Sequence, residues 1–396
     1  MDAYILSAAR TPIGKFLGGL ADVPAPKLGA VAISEGVKRA GLSPEQVEDV
    51  IMGNVVQAGV GQAPARQAAL LAGLPDTVPA HTTNMVCGSG LKAVMLAAQS
   101  VRAGDAHVVV AGGMESMSRA PFLLPGVRQG YKYGHQTTTD ALISDGLWCA
   151  FENWAMGEAA EHTATACGVS RPDQDRFSAQ SHQRAAAAWA NGAFAEEVVP
   201  VHFPATGKKP VPPVERDEGI RPDTTPESLA KLKPAFRPDG TVTAGNASQL
   251  SDGAAAVVVA SARFVEQSGA KPLARIVSYA MSGVAPKDIF VAPIPAVRAA
   301  CDKARLALAD IDLFELNEAF AAQMLACGRG LGLDESKVNV HGGAVALGHP
   351  IGASGARVLV TLLHALKRHN KRYGLASLCL GGGNAVAMVV ERADGR

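Results

Sequence analysis

The sequence predicts an α/β chain whose mainly parallel sheet is covered by helices on both faces, and it predicts that this unit occurs twice. Three observations carry the reading. Short apolar runs alternate with segments of helical periodicity, as in strands joined by crossover helices. The runs end alike in the two halves: in Asn54 and then Gly112-Gly113, and in Asn317 and then Gly381-Gly382-Gly383. Between the halves, residues 119–247 break the rhythm. A recurring order of strand with Asn, helix, Gly-rich turn, helix and strand with glycines is the mark of an internal duplication.

In the first half, Tyr4–Ala9 reads as a strand, ended by Arg10-Thr11-Pro12-Ile13-Gly14. Pro26–Ala40 reads as a helix stopped at Gly41, and Ser43-Pro44-Glu45-Gln46 as a helix start, with a cap, a first-turn proline and an acidic residue. A strand over Val50–Val55 carries Asn54, and a helix over Ala63–Ala72 ends at Gly73. Val78–Thr83 runs extended into Asn84-Met85-Val86-Cys87-Gly88. A helix from Gly88 to Ala103 follows, with Leu91, Val94, Met95 and Ala98 at helical spacing. Ala106–Ala111 is a buried strand closing on the Gly pair.

The second half gives a helix over Ile294–Leu306, a strand over Ile311–Asn317, a helix over Met324–Gly330, an extended Val338-Asn339-Val340, a helix over Gly352–Lys367 and a strand over Leu375–Gly383. Within the intervening stretch, Pro121–Gly134 is an excursion rich in Pro, Gly and Tyr, and Pro172–Ala190 a polar helix. Pro204–Pro238 is a proline-dense loop bearing Lys208, Lys209, Arg216, Arg221, Lys231, Lys233 and Arg237, a local cationic cluster able to meet phosphates.

The 396 residues are 48% hydrophobic and 18% charged, with a formal net charge of +1. That balance suits two or three globular domains and gives no reason to expect nucleic-acid binding. Six cysteines form no CxxC pair and are too sparse for a disulfide scaffold, so no metal is expected, and a reducing, cytoplasmic setting is. Met1–Ser7 lacks the pattern of a secretory leader, Ala393-Asp394-Gly395-Arg396 carries no peroxisomal tripeptide, and no run of about 18 apolar residues suggests a membrane span.

Cys87 lies at a strand-to-helix turn. There the free N–H groups of the helix start, with a nearby His, are expected to favour the thiolate; a shift from about 8.5 to about 7 is worth roughly 2 kcal/mol. Three stretches can be set beside it: Asn317-Glu318-Ala319-Phe320, Gly348-His349-Pro350-Ile351-Gly352-Ala353-Ser354-Gly355, and Cys379-Leu380-Gly381. In a doubly wound architecture the carboxyl ends of the strands gather along one edge, where ligands bind. A thiolate can hold an acyl group as a thioester, a His can take the thiol proton, and a second thiol can move a proton on carbon. Cys149, Cys167, Cys301 and Cys327 read as structural.

These four stretches, with Gly342-Gly343-Ala344-Val345-Ala346-Leu347 and Ala8-Ala9-Arg10-Thr11-Pro12, resemble the signature segments of the thiolase family over nearly the whole chain. The resemblance implies the duplicated thiolase fold: two βαβαβαββ domains in a five-layered α-β-α-β-α arrangement with an inserted loop domain. Residues 1–118 plus 248–270 would form the N-terminal domain, 119–247 the loop domain and 271–396 the C-terminal domain. The implied activity is reversible Claisen condensation of two acetyl-CoA to acetoacetyl-CoA and CoA, with coenzyme A thioesters as substrates and no cofactor. Cys87 would be acylated, His349 would activate it, and Asn317 would hold a water beside His349 for the enolate. Cys379 would exchange the carbon-bound proton. The backbone N–H groups of Cys87 and Gly381 would hold the acyl oxyanion. Coenzyme A contacts map onto Arg221, Ser228, Ala244 and Ser248, and the pantetheine and acyl pocket onto Met156, Leu147, Phe236 and Phe320. The family is usually a dimer or tetramer. A homotetramer is expected here, with residues 121–134 resembling the loop that links dimers.

Two places depart from the acetyl-specific pattern. Ala155 stands before Met156 where His is typical, and Ile289-Phe290-Val291-Ala292 replaces a Met with small residues. The C-terminal third is closer to enzymes acting on short acyl chains, so short chains are expected. A broader 3-ketoacyl-CoA thiolase is the alternative. A cysteine hydrolase using Cys87, His349 and Asn317 would leave Cys379 without a task. A decarboxylating ketosynthase would carry a second His where Asn317 stands. A non-catalytic acyl-CoA binder would not need four reactive residues.

Overall fold

A computed structural model describes residues 2–203 and 212–393. Lys208 and Lys209 of the cationic loop, and residues 394–396, lie outside the described residues.

One ten-stranded sheet system runs through the molecule, and it divides into two half-sheets of matching order. The first half-sheet runs Ala80–Thr83, Asp49–Gly53, Val108–Ser116, Ser251–Ser261, Ala3–Arg10. The second runs Leu313–Leu316, Tyr373–Leu380, Asn384–Arg392, Ala274–Gly283, and a parallel bridge from Phe314 to Val338 stands where the first has its edge strand. In each half the first strands are parallel and the last two antiparallel. The two half-sheets pair edge to edge through Tyr4 with Arg275 and Ile5 with Ala274. The duplication expected from the sequence is therefore present, strand for strand.

The layers follow from the period-2 alternation of the strands. Val108 and Val110 point outward to the helices Ala25–Arg39 and Pro64–Leu71. Val109 and Ala111 point inward to the helices Ser89–Ala103 and Ile351–Arg368, which are sandwiched between the half-sheets. On the far side Phe314, Leu375 and Val389 face the helices Pro293–Ala304 and Ala321–Leu331. The result is five layers, helix-sheet-helix-sheet-helix. The two central helices cross almost backbone to backbone: a Cβ at Gly90 would stand 2.7 Å from Ala356 N.

Element ends shift by up to three residues from the sequence reading. The sheet is mixed rather than mainly parallel, because the strands Ser251–Ser261, Ala274–Gly283 and Asn384–Arg392, which the reading did not name, all pair antiparallel. Three local differences follow. The Val108–Ser116 strand does not close on its Gly pair but runs through it. A side chain at Gly113 would run into the carbonyl of Gly352, and one at Gly112 into the carbonyl of Ala255 on the neighbouring strand, so Gly113 admits the start of the Ile351–Arg368 helix and neither glycine ends the strand. Ser43–Gln46 starts only one 3-10 turn, Pro44–Gln46, with Ser43 N donating to Gln46 Oε1 at 2.9 Å. The Gly342-Gly343 stretch carries a short helix, Ala344–Leu347.

Residues 119–247 leave from one strand and return to its antiparallel neighbour, so the sheet closes behind the insertion. The insertion contributes the helices Met156–Ala166, Arg171–Ala190 and Pro226–Ala230. It is anchored by buried Arg10, whose Nε donates to Glu197 Oε1 (2.6 Å) and whose NH1 and NH2 donate to Asp217 (2.7 and 3.0 Å), beneath the Phe194 ring.

Candidate active site

Cys87 sits on a strained turn. Val86, a β-branched residue, has φ 47°, in the left-handed region, at a cost of about 1–3 kcal/mol. Two polar side chains hold it there. Asn84 Oδ1 accepts from Val86 N (3.0 Å), and Ser89 Oγ accepts from Met85 N (2.8 Å) while donating to Val86 O (2.7 Å). The helix then begins at Ser89, with Cys87 half-buried just ahead of it.

The second thiol arrives on the neighbouring half-sheet. Cys379 is buried near the end of Tyr373–Leu380. The next two residues abut the Cys87 turn. A Cβ at Gly88 would collide with Leu380 Cδ2, and one at Gly381 would stand 3.2 Å from both methyls of Val86. Gly88 and Gly381 are therefore glycines because the two chain segments touch.

His349 is fixed by three polar groups. Its N–H donates to Gln249 O (3.0 Å) and approaches Ser251 Oγ at 3.2 Å. Its Nδ1 lies 2.6 Å from Ser354 Oγ, and that hydroxyl donates to Pro350 O at 2.9 Å. Since the hydroxyl proton is committed to Pro350, Nδ1 is the donor to Ser354. The neutral ring then carries its lone pair on Nε2. Asn317 Nδ2 stands 3.4 Å from both ring nitrogens, and Asn317 Oδ1 is buried without a protein partner. An oxygen so placed suits a bound water.

Glu115 ties the two halves together. Its carboxylate accepts from Asn54 Nδ2 (2.7 Å), Val55 N (3.0 Å), Val56 N (3.3 Å) and Gly352 N (2.9 Å). It thereby clamps the start of the His349 helix to the strand end bearing Asn54. In the second half Glu318 does the same for the Gly342-Gly343 turn, accepting from Ser181 Oγ (2.7 Å), Asn339 Nδ2 (2.9 Å) and Val345 N (3.1 Å).

The electrostatics correct the expectation of a resting thiolate. Burial pushes the Cys87 thiol up to about 12; its own backbone N–H opposes this and the Glu115 carboxylate adds to it. Burial also raises Cys379, with Cys87 and Cys327 contributing. Burial and then Arg357 hold His349 down at about 3. The free site therefore rests as neutral thiol and neutral imidazole. Desolvation outweighs the helix start that the sequence reading relied on.

The remaining predicted residues divide into two groups. Leu147 packs with Cys87 and Ile351. Met156 and Phe320 pack with Cys379, Ala319 and Phe290, and Phe320 stands edge-on to both Phe290 (5.2 Å between centroids) and Phe236 (6.4 Å). Arg221, Ser228 and Ala244 are exposed on the inserted stretch. Ser228 caps the Pro226–Ala230 helix reciprocally with Thr225, and Arg221 N donates to His182 Nδ1 at 3.1 Å. Ser248 is half-buried, its N–H donating to Ala319 O at 3.0 Å, beside Phe320. A file of contacts thus leads inward by Ser248 and Phe236 to Phe320 and Cys379.

Two family models match the chain end to end: Thiolase, N-terminal domain, over residues 3–263, and Thiolase, C-terminal domain, over residues 270–392. The chain belongs to the thiolase family. As a thiolase it is an acyltransferase. It is 55% identical over 391 residues, 99% of each chain, to the acetyl-CoA acetyltransferase of Cupriavidus necator, and 52% identical over 392 residues to that of Escherichia coli. The crystal structure of the Bacillus anthracis acetyl-CoA acetyltransferase superposes with a TM-score of 0.96 at 44% identity, covering 99% of this chain and 98% of the other.

Reading the sequence of this thiolase missed Ser354, Glu115 and the strain at Val86. Ser354 lay inside the quoted Gly-Ala-Ser-Gly turn, and its five-residue separation from His349 was a usable signal. Glu115 had none, since three of its four partners are backbone N–H groups and the four come from both halves. Among the described residues no helix is long and apolar enough to cross a membrane, and no group of three or more His, Cys, Asp or Glu could hold a metal.

Proposed function

We propose that the chain is an acetyl-CoA C-acetyltransferase, catalysing the reversible condensation of two acetyl-CoA to acetoacetyl-CoA and CoA through an acyl-Cys87 intermediate. The observation that carries this is the abutment of the Cys379–Gly381 segment on the Cys87 turn, with His349 Nδ1 2.6 Å from Ser354 Oγ. A single thiol and a His would serve hydrolysis, whereas carbon–carbon chemistry needs a second proton carrier for carbon. Cys87 attacks the thioester carbonyl as His349 Nε2 takes its proton, and CoA leaves. Cys379 then removes a proton from the methyl group of the second acetyl-CoA, whose enolate oxygen is met by His349 and a water at Asn317. The enolate carbon attacks the acyl-Cys87 carbonyl, the acyl–sulfur bond breaks to release acetoacetyl-CoA, and the freed Cys87 thiolate recovers the proton held by Cys379. The backbone N–H groups of Cys87 and Gly381 meet the acyl oxygen.

Under this proposal 119–247 is the loop domain that carries coenzyme A along Arg221, Ser228, Ala244 and Ser248, between the domains 1–118 plus 248–270 and 271–396. Coenzyme A thioesters are substrates, and no cofactor or metal takes part. The wall of Phe290, Phe320 and Met156 around Cys379 favours short acyl chains over the broader range of a β-oxidation thiolase. Exposed Phe122, Leu124, Val127, Tyr131 and Tyr133 on the 121–134 excursion favour a tetramer. The test is thiolysis rate against 3-ketoacyl chain length: acetoacetyl-CoA should be cleaved fastest, with kcat/KM falling steeply beyond it. Turnover that rises with chain length would contradict the reading.

A further inference from the structure

A cavity of about 220 Å³ opens between the Arg171–Ala190 and Ala321–Leu331 helices, and none of its walls is a residue of the catalytic set. Its floor is apolar, formed by Phe177, Met324, Leu325, Leu333 and Val338. Its rim carries three guanidinium groups, Arg176, Arg184 and Arg329. Asp173 is shared by two of them, accepting from Arg176 NH2 at 2.8 Å and Arg329 NH2 at 2.9 Å, and Glu335 is the one acidic residue of the lining. Arg184 is pinned by backbone carbonyls, donating to Val338 O (2.7 Å) and Glu335 O (3.0 Å), so no carboxylate neutralises it through a direct bond there. The rim therefore keeps an excess of positive charge over an apolar pit.

Two glycines, Gly328 on the Ala321–Leu331 helix and Gly332 just beyond its end, are among the residues that line the cavity. A Cβ built at Gly328 or at Gly332 meets nothing within 4 Å. Its volume lies below the roughly 300–1,000 Å³ of drug-sized sites, so its occupant is small. Both terminal nitrogens of Arg329 (to Gly168 O and Asp173, 2.9 Å each) and of Arg184 are already engaged, so the rim acts through its excess positive charge, which favours an anion, while the apolar floor selects a hydrocarbon body over a bare anion.

We propose that this cavity is a second binding site, for a small unbranched monocarboxylate: a free acyl anion whose chain lies on Phe177 and Met324 and whose carboxylate meets the arginine rim. Leu316 lines the same cavity and directly precedes Asn317, so occupancy touches the strand end that carries the His349 partner.

Titration of the full chain with hexanoate, followed calorimetrically, tests this. One saturable site per chain is expected, unchanged after alkylation of Cys87 by iodoacetamide. Gly328→Leu fills the cavity from a position with open space around its Cβ, and should abolish binding while leaving thermal unfolding and acetoacetyl-CoA thiolysis in place. Arg329→Gln should weaken binding about tenfold or more, since it removes a charged partner. Absence of saturable binding would overturn the proposal. So would loss of binding on Cys87 alkylation, which would assign hexanoate to the catalytic site, or equal binding of inorganic phosphate, which has no use for the apolar floor.

Discussion

Ser354→Ala should cut turnover without unfolding the enzyme. The hydroxyl accepts from His349 Nδ1 at 2.6 Å and is itself buried. Its other partner, Pro350 O, also accepts from Ala353 N and Ser354 N at 2.9 Å each, so that carbonyl stays satisfied. Only the imidazole loses its partner. Asn317 Nδ2, at 3.4 Å, is a donor and cannot replace an acceptor. The ring must either keep an orphan buried N–H or move its proton to Nε2, which removes the lone pair that the proposed function assigns to proton transfer. An orphaned buried donor costs about 1–3 kcal/mol. At about 1.4 kcal/mol per tenfold, kcat should fall by roughly 5- to 150-fold. Initial rates of acetoacetyl-CoA thiolysis measure this, with KM for the thioester expected to change little because Ser354 does not line the acyl pocket. A variant with wild-type kcat, or one whose loss lies wholly in KM, would refute the assignment of the tautomer and with it the role of Nε2.

Three further outcomes follow from the same structure. With its thiol pushed up to about 12, Cys87 should be alkylated by iodoacetamide at a rate that climbs about tenfold per pH unit from pH 7 to 9; a plateau near neutrality would reveal a resting thiolate. Burial raises Glu315 from 4.5 to about 8 against the opposing pull of Arg357, 3.7 Å away, so the folded protein holds that proton more tightly than the unfolded chain. Stability from this group is full below about pH 4.5 and is lost as pH rises towards 8, by up to about 1.4 kcal/mol per unit. Unfolding temperature should therefore drop less between pH 6 and 8 in Glu315→Gln than in the wild type, and parallel slopes would contradict it. Phe290→Ala should cost about 3–5 kcal/mol of stability and raise kcat/KM for longer 3-ketoacyl-CoA substrates relative to acetoacetyl-CoA; an unchanged ratio would remove Phe290 from the acyl wall.

The architecture was legible because each half writes its own period-2 and period-3.6 pattern, with Asn54 and Asn317 marking equivalent strand ends. Cys87, His349 and Cys379 were legible because they sit in short segments with distinctive glycines. What stayed hidden has physical reasons. The sequence shows that Cys87 precedes a helix, but its protonation depends on desolvation by residues far along the chain, and that reversed the expected sign. Gly112-Gly113 looked like a strand end because what crowds the two glycines, Ala255 beside Gly112 and Gly352 beside Gly113, lies far along the chain. Glu115 is silent in sequence since a carboxylate serving four donors looks like any other glutamate. Val86 is the residue type least expected at positive φ, and only its clamps, Asn84 and Ser89, left a trace.

The acyl-Cys87 intermediate is the centre of this account, and acid-quenched peptide mass mapping after incubation with acetyl-CoA tests it most directly. The wild type and Cys379→Ala should each carry one acetyl group on the peptide containing Cys87, with condensation lost only in the variant, and Cys87→Ala should carry none. Full acetylation of Cys87→Ala, or an acetyl group found on Cys379 in the wild type, would contradict it.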